Sequence, residues 1–326
     1  MSNGGNVLAA PLDSINRYPG YLLVLSAKDG KVLAKAPMPD LKETYMSVSA
    51  VRIKGSEDFY VVYGTGGETL GGHLYVSTLS EVLKGDLSKS RLLSSSPRHG
   101  YIAPAVWADI NGDEIPDVVA NAVEGKLLAF DGKTFSPIWS VKVPNTEAYS
   151  SIATGFFTED KTPDFLVSYA VGQWPNLESS VQLMVNGASG KIVYEDSLGF
   201  YQTSTPVVVD IDGDGRDEAI LSVNVHVYDA YNNKTLNNIL VSINFKNNEV
   251  NQIGELNTGS NISTTPWIGD MNKDGLLDII LFHATNTQKP YTFDGMRVHH
   301  IKTQIPIRSK IKWGAYMGSN YDGVFK

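Results

Sequence analysis

Thr203–Ser222, TSTPVVVDIDGDGRDEAILS, decides the reading of this chain. Val207, Val208 and Val209 form a short β-branched run, and Ala219–Ser222 form a second apolar run, so the stretch reads strand, acidic loop, strand. Between the two runs, Asp210, Asp212 and Asp214 occupy loop positions one, three and five. Gly215 is sixth and Glu218 ninth. Oxygen ligands at alternate positions with a glycine at the bend suit a hard cation such as calcium. Carboxylates this close repel one another unless a cation neutralises them.

The pattern returns twice. Asp109, Asn111, Asp113 and Asp117 lie in WADINGDEIPDVVA, and Asp270, Asn272, Asp274 and Asp278 lie in IGDMNKDGLLDIIL. Each loop has an apolar run on either side, so the chain is a repeat protein. The expected ligands are the side chains at positions one, three, five and nine, with the carbonyls of Ile115, Arg216 and Leu276 at position seven. Two or three Ca2+ ions are expected. Loop two, with three aspartates and Gly215, should bind tightest, whereas Glu114 in place of glycine should strain the bend of loop one. An EF-hand does not fit. Its twelfth position requires a bidentate Glu, and here it is Ala120, Leu221 or Leu281. Its flanks are helices, and these flanks have the length of strands.

Two degraded copies of the strand pair follow the same outline. Ile152–Tyr169 keeps Asp160 and Asp164 but has Phe156 at the first position, and Ser49–Tyr63 has Arg52 there. Neither is expected to hold an ion. Hairpins alternate with these pairs. YLLVLSAKDGKVLAKAPMP (Tyr21–Pro39), GKLLAFDGKTFSPIWSVKVP (Gly125–Pro144) and VQLMVNGASGKIVYEDSLG (Val181–Gly199) are the clearest. Weaker copies lie at His73–Leu93, Val225–Leu256 and Pro290–Thr303, the last with Asp294-Gly295 as its turn. Four short strands in a period of roughly 50–60 residues compose a propeller blade. The N-terminal hairpin and a strand pair from Lys310–Lys326 would share the closing blade. The expected fold is therefore all-β: a β-propeller of about six four-stranded blades closed by N- and C-terminal strands, with seven blades as second choice. Residues 1–18 read as an N-terminal extension and 19–326 as a single domain.

The loops resemble the FG-GAP/VCBS family of calcium-loop propellers, the repeat type of integrin α-subunit heads. The resemblance rests on Asp210-Ile-Asp212-Gly-Asp214-Gly215, Asp109-Ile-Asn111-Gly-Asp113 and Asp270-Met-Asn272-Lys-Asp274-Gly275. The hairpins, LLAFDGKTFSPIWSVKV in particular, are similar to quinoprotein-type propeller repeats. The resemblance implies ions in loops between adjacent strands of a blade and implies no particular reaction.

Composition narrows the function. A net charge of −8 argues against a nucleic-acid partner. The absence of cysteine removes disulfides, thiolate catalysis and Cys-ligated metal sites. No apolar run reaches the ~20 residues of a spanning helix. MSNGGNVLAAPLDS lacks the basic region and apolar core of a secretory signal. Weak calcium loops work in the millimolar calcium found outside cells. The expected setting is extracellular, cell-surface or periplasmic, with the signal trimmed from this chain.

GTGGETLGGH (Gly64–His73) lacks the Lys-Ser/Thr and helix of a phosphate loop. Adjacent His299 and His300 face opposite sides of a strand and read as a solvated strand end. Trp107 and Trp267 hold matching repeat positions and read as packing between blades. Asn233-Lys-Thr235 and Asn261-Ile-Ser263 match the glycosylation sequon, which matters only in a secreted eukaryotic chain. Trp174, read as lying in a longer loop, and Tyr149, Tyr201 and His99, in connections that lead into repeat units, are the candidate partner contacts. The expected function is a calcium-stabilised binding or scaffold module for a protein or glycan, or for other domains or subunits of a larger assembly. The alternative is an enzyme on the same fold, a polysaccharide lyase or hydrolase or a quinoprotein-like oxidoreductase, although no catalytic constellation stands out.

Overall fold

A computed structural model describes residues 1–5, 18–262 and 264–326. Much of the expected N-terminal extension, and Ser263 of the second sequon, lie outside them. The described residues form six antiparallel sheets and one short helix. They divide into two compact units, Met1–Pro144 with Asp322–Val324, and Asn145–Tyr321 with Phe325–Lys326.

The first unit holds three sheets. In the first, β1 (Ser2–Asn3) pairs with β2 (Tyr21–Leu25), which pairs with β3 (Val32–Pro37). The second is the meander β4 (Ser49–Arg52), β5 (Phe59–Gly64), β6 (Gly72–Thr78) and β7 (Arg91–Ser96). Helix α1 (Leu79–Lys84) interrupts its outer hairpin and ends on Gly85 at φ 74°. The third is β8 (Val106–Ala108), β9 (Asp117–Ala122), β10 (Lys126–Phe130) and β11 (Pro137–Lys142).

The second unit repeats the plan. Its first sheet runs β12 (Thr146–Glu147), β14 (Asp164–Gln173), β15 (Asn176–Val185), β16 (Ile192–Asp196), with β13 (Ala153–Gly155) also on β14. The next is β17 (Val207–Val209), β18 (Glu218–Tyr228), β19 (Lys234–Asn244), β20 (Glu249–Thr258). The last is β21 (Trp267–Gly269), β22 (Leu276–Ala284), β23 (Met296–Pro306).

Each meander runs from buried to exposed. β8 and β9 are buried at every residue, whereas β11 is largely exposed, because the early strands are covered on both faces by neighbouring sheets. The cores lie between sheets. Trp107 on β8, fully buried, packs in one cluster with Val62 of β5, Leu74 of β6 and Val118 of β9. Val207, Ile220 and Leu240 of one sheet pack with Ile268, Ile279 and Leu281 of the next. Trp107 thus fills the space expected of it. Trp267 is only half-buried, its ring lying against Gly269 of its own strand.

Three readings are corrected. Pro290–Thr303 is not a hairpin: β23 pairs along its length with β22, and Asp294-Gly295 belongs to the irregular connection between them. Lys310–Lys326 does not form a strand pair. It runs in turns and makes single bridges, Trp313 to Val208 and Val324 to Trp107, since its glycines and turn residues leave no alternating apolar run. Trp174 lies not in a long loop but in the two-residue turn of a hairpin whose strands are ten residues each, where Gln173 pairs with Asn176.

Trp107 fills more of the first unit's core than any other side chain, so Trp107→Ala should lower unfolding free energy by about 3–5 kcal/mol. Urea denaturation of the two proteins measures it; a loss below about 1 kcal/mol would mean the ring does not pack as described.

Candidate metal loops and aromatic face

The three acidic loops fold by one local scheme. Each begins where a three-residue strand ends, and its ninth residue is the first residue of the next strand in loops one and two and the third in loop three. The ninth residue pairs with the last residue before the loop: Ala108 with Asp117, Val209 with Glu218, Gly269 with Asp278. The ninth carboxylate accepts the amide at position two, from Ile110 at 3.0 Å, Ile211 at 2.7 Å and Met271 at 2.8 Å. The first aspartate accepts the sixth amide, from Glu114 at 2.9 Å, Gly215 at 3.2 Å and Gly275 at 2.9 Å. The third and fifth side chains accept the amide two residues on, as in Asx turns, for example Asp214 from Arg216 at 2.9 Å. The sixth residue is left-handed in all three, including Glu114 at φ 65°. That is the strain expected where glutamate replaces glycine.

Only loop two gathers three carboxylates. One oxygen each from Asp210, Asp212 and Glu218 lie within 4.8 Å of one another, the single such group among the described residues. Burial pushes Glu218 up to about 7, and the charges of Asp212, Asp210 and Asp214 act the same way against the stabilising Ile211 amide. Asp214 goes the other way. Lys246, 2.8 Å from its Oδ2, holds it below the usual carboxylate range. Arg216 is drawn aside by an ion pair with Glu159.

In loop one, burial pushes Asp117 up to about 6. Asn111 donates to Asp117 at 3.4 Å and to Asp131 at 3.1 Å. In loop three, His300 lies 2.8 Å from Asp278 and lowers its pKa. His299 stacks on buried His283, with Nε2 atoms 2.8 Å apart. The adjacent histidines do face opposite ways, but both have partners, so they are not a merely solvated strand end.

Sequence reasoning missed one polar residue at loop one, at loop two and at the degraded copy. A residue at the end of the third strand or just after it reaches back over the loop. Asp131 meets Asn111, and Gly132 donates to Asp117 at 2.7 Å. Asn244 donates to Asp212 at 3.2 Å and Glu218 at 2.9 Å. In the degraded copy, Asn186 donates to Asp160 and Asp164. Asp131-Gly132 and Asn186-Gly187 signal a turn in the sequence, and that signal hides their second role.

Three of the four candidate partner contacts come together in the second unit. Tyr149 Oη donates to Glu147 Oε2 at 2.5 Å, and the Trp174 amide donates to the same oxygen at 2.9 Å. The Trp174 ring meets Tyr291 edge-on at 4.4 Å, and Tyr201 lies 6.3 Å from Tyr291. Tyr201 Oη is 3.3 Å from His226 Nε2, and Phe200 stacks on His226 at 4.0 Å. Trp174 and Phe200 remain over a third exposed, while Glu147 is buried. Tyr201 is itself left-handed, at φ 63°. Strained residues of this kind concentrate at ligand sites. His99 lies instead in the first unit, its Nδ1 2.7 Å from the Glu68 carbonyl. Glu147, Phe200, His226 and Tyr291 carry no motif; only the pairing of strands gathers them.

No family model and no curated protein matches the chain. Solved structures do. It is similar to a europium-containing methanol dehydrogenase, with 12% identity and a TM-score of 0.51 over 82% of this chain and 62% of that one. It is also similar to the quinohemoprotein alcohol dehydrogenase of Comamonas testosteroni, with 9% identity and a TM-score of 0.54 over 90% of this chain and 58% of that one. The chain spans about three fifths of the length of these structures. At such identity the likeness shows the fold, and the fold is an all-β propeller. No helix among the described residues is long and apolar enough to cross a membrane.

The raised Glu218 sets a pH signature. Its folded pKa, about 7, exceeds its ordinary 4.5, so its contribution to stability is present below 4.5 and lost as pH rises through 7. In chelator, the wild type should therefore lose stability relative to Glu218→Gln between these limits. Parallel melts at pH 4.5 and pH 8 test this; a difference that does not change with pH contradicts it.

Proposed function

We propose that the protein is a calcium-stabilised binding module, acting outside the cytoplasm, whose partner is a glycan or a protein. The observation that carries the reading is the convergence of Tyr149 and Trp174 on buried Glu147, with Tyr291 between the rings of Trp174 and Tyr201 and the exposed ring of Phe200 beside Tyr201. Flat aromatic faces next to a carboxylate and phenol hydroxyls suit the apolar face and hydroxyls of a sugar ring, or an aromatic anchor from a protein. Trp174 is set at a hairpin tip and the rings of Tyr201 and Tyr291 are held by aromatic neighbours, so little conformational entropy is lost on binding.

Calcium would act on the scaffold. Asp210, Asp212, Asp214 and Glu218, with the Arg216 carbonyl, form the strongest cage in this reading. Asp270, Asn272, Asp274, Asp278 and the Leu276 carbonyl form the second, and Asp109, Asn111, Asp113, Asp117 and the Ile115 carbonyl the third. All donors are hard oxygens, as calcium prefers. An ion bound only by the folded loops stabilises the fold by mass action, by about 2.7 kcal/mol at a hundredfold excess over Kd.

Calorimetry should count two or three calcium ions, and EGTA should lower the melting temperature by several degrees. Asp212→Asn should weaken the tightest of these sites. A melt that EGTA leaves unchanged would end the calcium reading.

Trp174→Ala should leave the melt within about a degree of wild type, since the ring sits at a turn. The same variant should lose retention on a panel of immobilised polysaccharides. Retention equal to wild type on every polysaccharide bound would remove Trp174 from the partner face. Wild-type protein that binds no polysaccharide but captures a protein partner through Trp174 would assign the face to protein.

A further inference from the structure

The second unit holds a cavity of about 260 Å³ whose walls include Thr154, Phe156, Asp217, Lys312, Trp313 and Phe325. Two of these residues bring polar atoms that find no partner in the protein, Thr154 Oγ1 and Trp313 Nε1. Thr154 is 0% exposed and Trp313 1%. Folded proteins pair nearly all such atoms, so two orphans lining one cavity need an explanation. An indole N–H can only donate, and a threonine hydroxyl can donate or accept. A ligand that satisfies both must bring acceptors.

The charged walls are two carboxylates, Asp210 and Asp217, and two ammonium groups, Lys310 and Lys312. Lys312 Nζ lies 4.8 and 5.0 Å from the ring centroids of Phe156 and Phe325, and it forms no ion pair among the described residues. Asp217 takes the Phe156 amide at 2.8 Å with Oδ2, which leaves Oδ1 to accept. Asp217 is no part of the loop scheme. Its position, the eighth, is Pro116 in loop one and Leu277 in loop three. A carboxylate at this place is specific to the cavity.

We infer that this cavity is a binding site for a small carboxylate that also carries a hydroxyl or ammonium donor, a sugar acid or an amino acid. Its carboxylate meets the Trp313 N–H, the Thr154 hydroxyl and the Lys312 ammonium, and its donor meets Asp217. The two phenylalanine rings cover its apolar face. The volume lies just below the range of about 300–1,000 Å³ found for drug-sized ligands, which limits the occupant to a single small molecule. The site shares neither Glu147 nor Trp174 with the partner face and is tested apart from it, although Asp210 and Gly215 of loop two also line the cavity.

Titration of the full chain, labelled at the tryptophan indole nitrogens, tests this by NMR. The probes are D-galacturonate, L-serine and neutral D-galactose. The expected result is a saturable shift of the Trp313 indole resonance with galacturonate or with serine, and none with galactose; which acid acts identifies the source. Thr154→Val removes a hydroxyl that bonds to nothing in the protein. It should keep the wild-type melt and weaken the bound acid about tenfold, as the loss of one hydrogen bond implies. Lys312→Met should weaken it at least as much. No saturable shift with either acid at about 10 mM would overturn the assignment, as would an equal shift with galactose or unchanged affinity in both variants.

Discussion

The repeat depends on one buried contact. The carboxylate at the ninth loop position enters the sheet at the start of the second strand and there accepts the amide of loop position two. That amide faces inward and would otherwise lie buried without a partner, a costly state for a backbone donor. The bond ties the loop back onto the strand it has just left, so the chain must reverse within eight residues. In the degraded copy the ninth acid, Asp164, still ties the loop back, but it accepts the amide of position three, from Thr158 at 3.0 Å. The ninth acid is thus structural first, and any ion it binds draws on a geometry the backbone already requires.

Burial of that acid explains why the loops differ. A desolvated carboxylate resists ionisation, and Asp117 and Glu218 both sit well above their ordinary range. Glu218 is one methylene longer than Asp117, and its carboxylate reaches Asp210 and Asp212 as well as the Ile211 amide. Asn244 then donates to both Glu218 and Asp212, which orients them without adding charge. In loop three the corresponding acid is held by His300, and in loop one the side chain at position three is an asparagine that donates to the acids around it. One backbone scheme therefore presents three different electrostatic sites.

A sequence conveys best what is local along the chain. The spacing of Asp210, Asp212, Asp214 and Glu218 is local, as is the alternation of strand and turn residues, so the acidic loops, their strands and the all-β fold were legible. Asp131 and Asn244 were not, because they reach their loops through a hairpin that a linear reading treats as a separate unit. The strand pair expected at Lys310–Lys326 failed for a related reason. Trp313 and Val324 each meet a strand distant in sequence, and such bridges have no periodic signature. The hairpin expected at Pro290–Thr303 rested on Asp294-Gly295 alone, and a turn dipeptide does not specify which strands it joins.

The aromatic face follows from the same geometry. The first strand of most sheets in the second unit is three residues long, whereas β14, β15, β18 and β19 run ten or eleven. The long strands therefore project beyond the short ones, and their far ends cannot be covered by the core that clamps the acidic loops. Trp174 and His226 stand on those projecting ends, and Phe200 bridges to Asn224 on β18. Side chains placed there have strands beneath them and solvent above them, the condition that favours large aromatics with one dry and one wet side. The strand-length difference that frees this end is anchored at the other by Glu218 on β18 and Asp164 on β14, the ninth-position acids themselves. Acidic loop two and His226 thus lie at opposite ends of β18, whereas Trp174 stands at the end of β14 opposite the degraded loop. Between the two ends β18 and β19 pair without a register shift, whereas the β14–β15 ladder shifts register between Ala170 and Gly172.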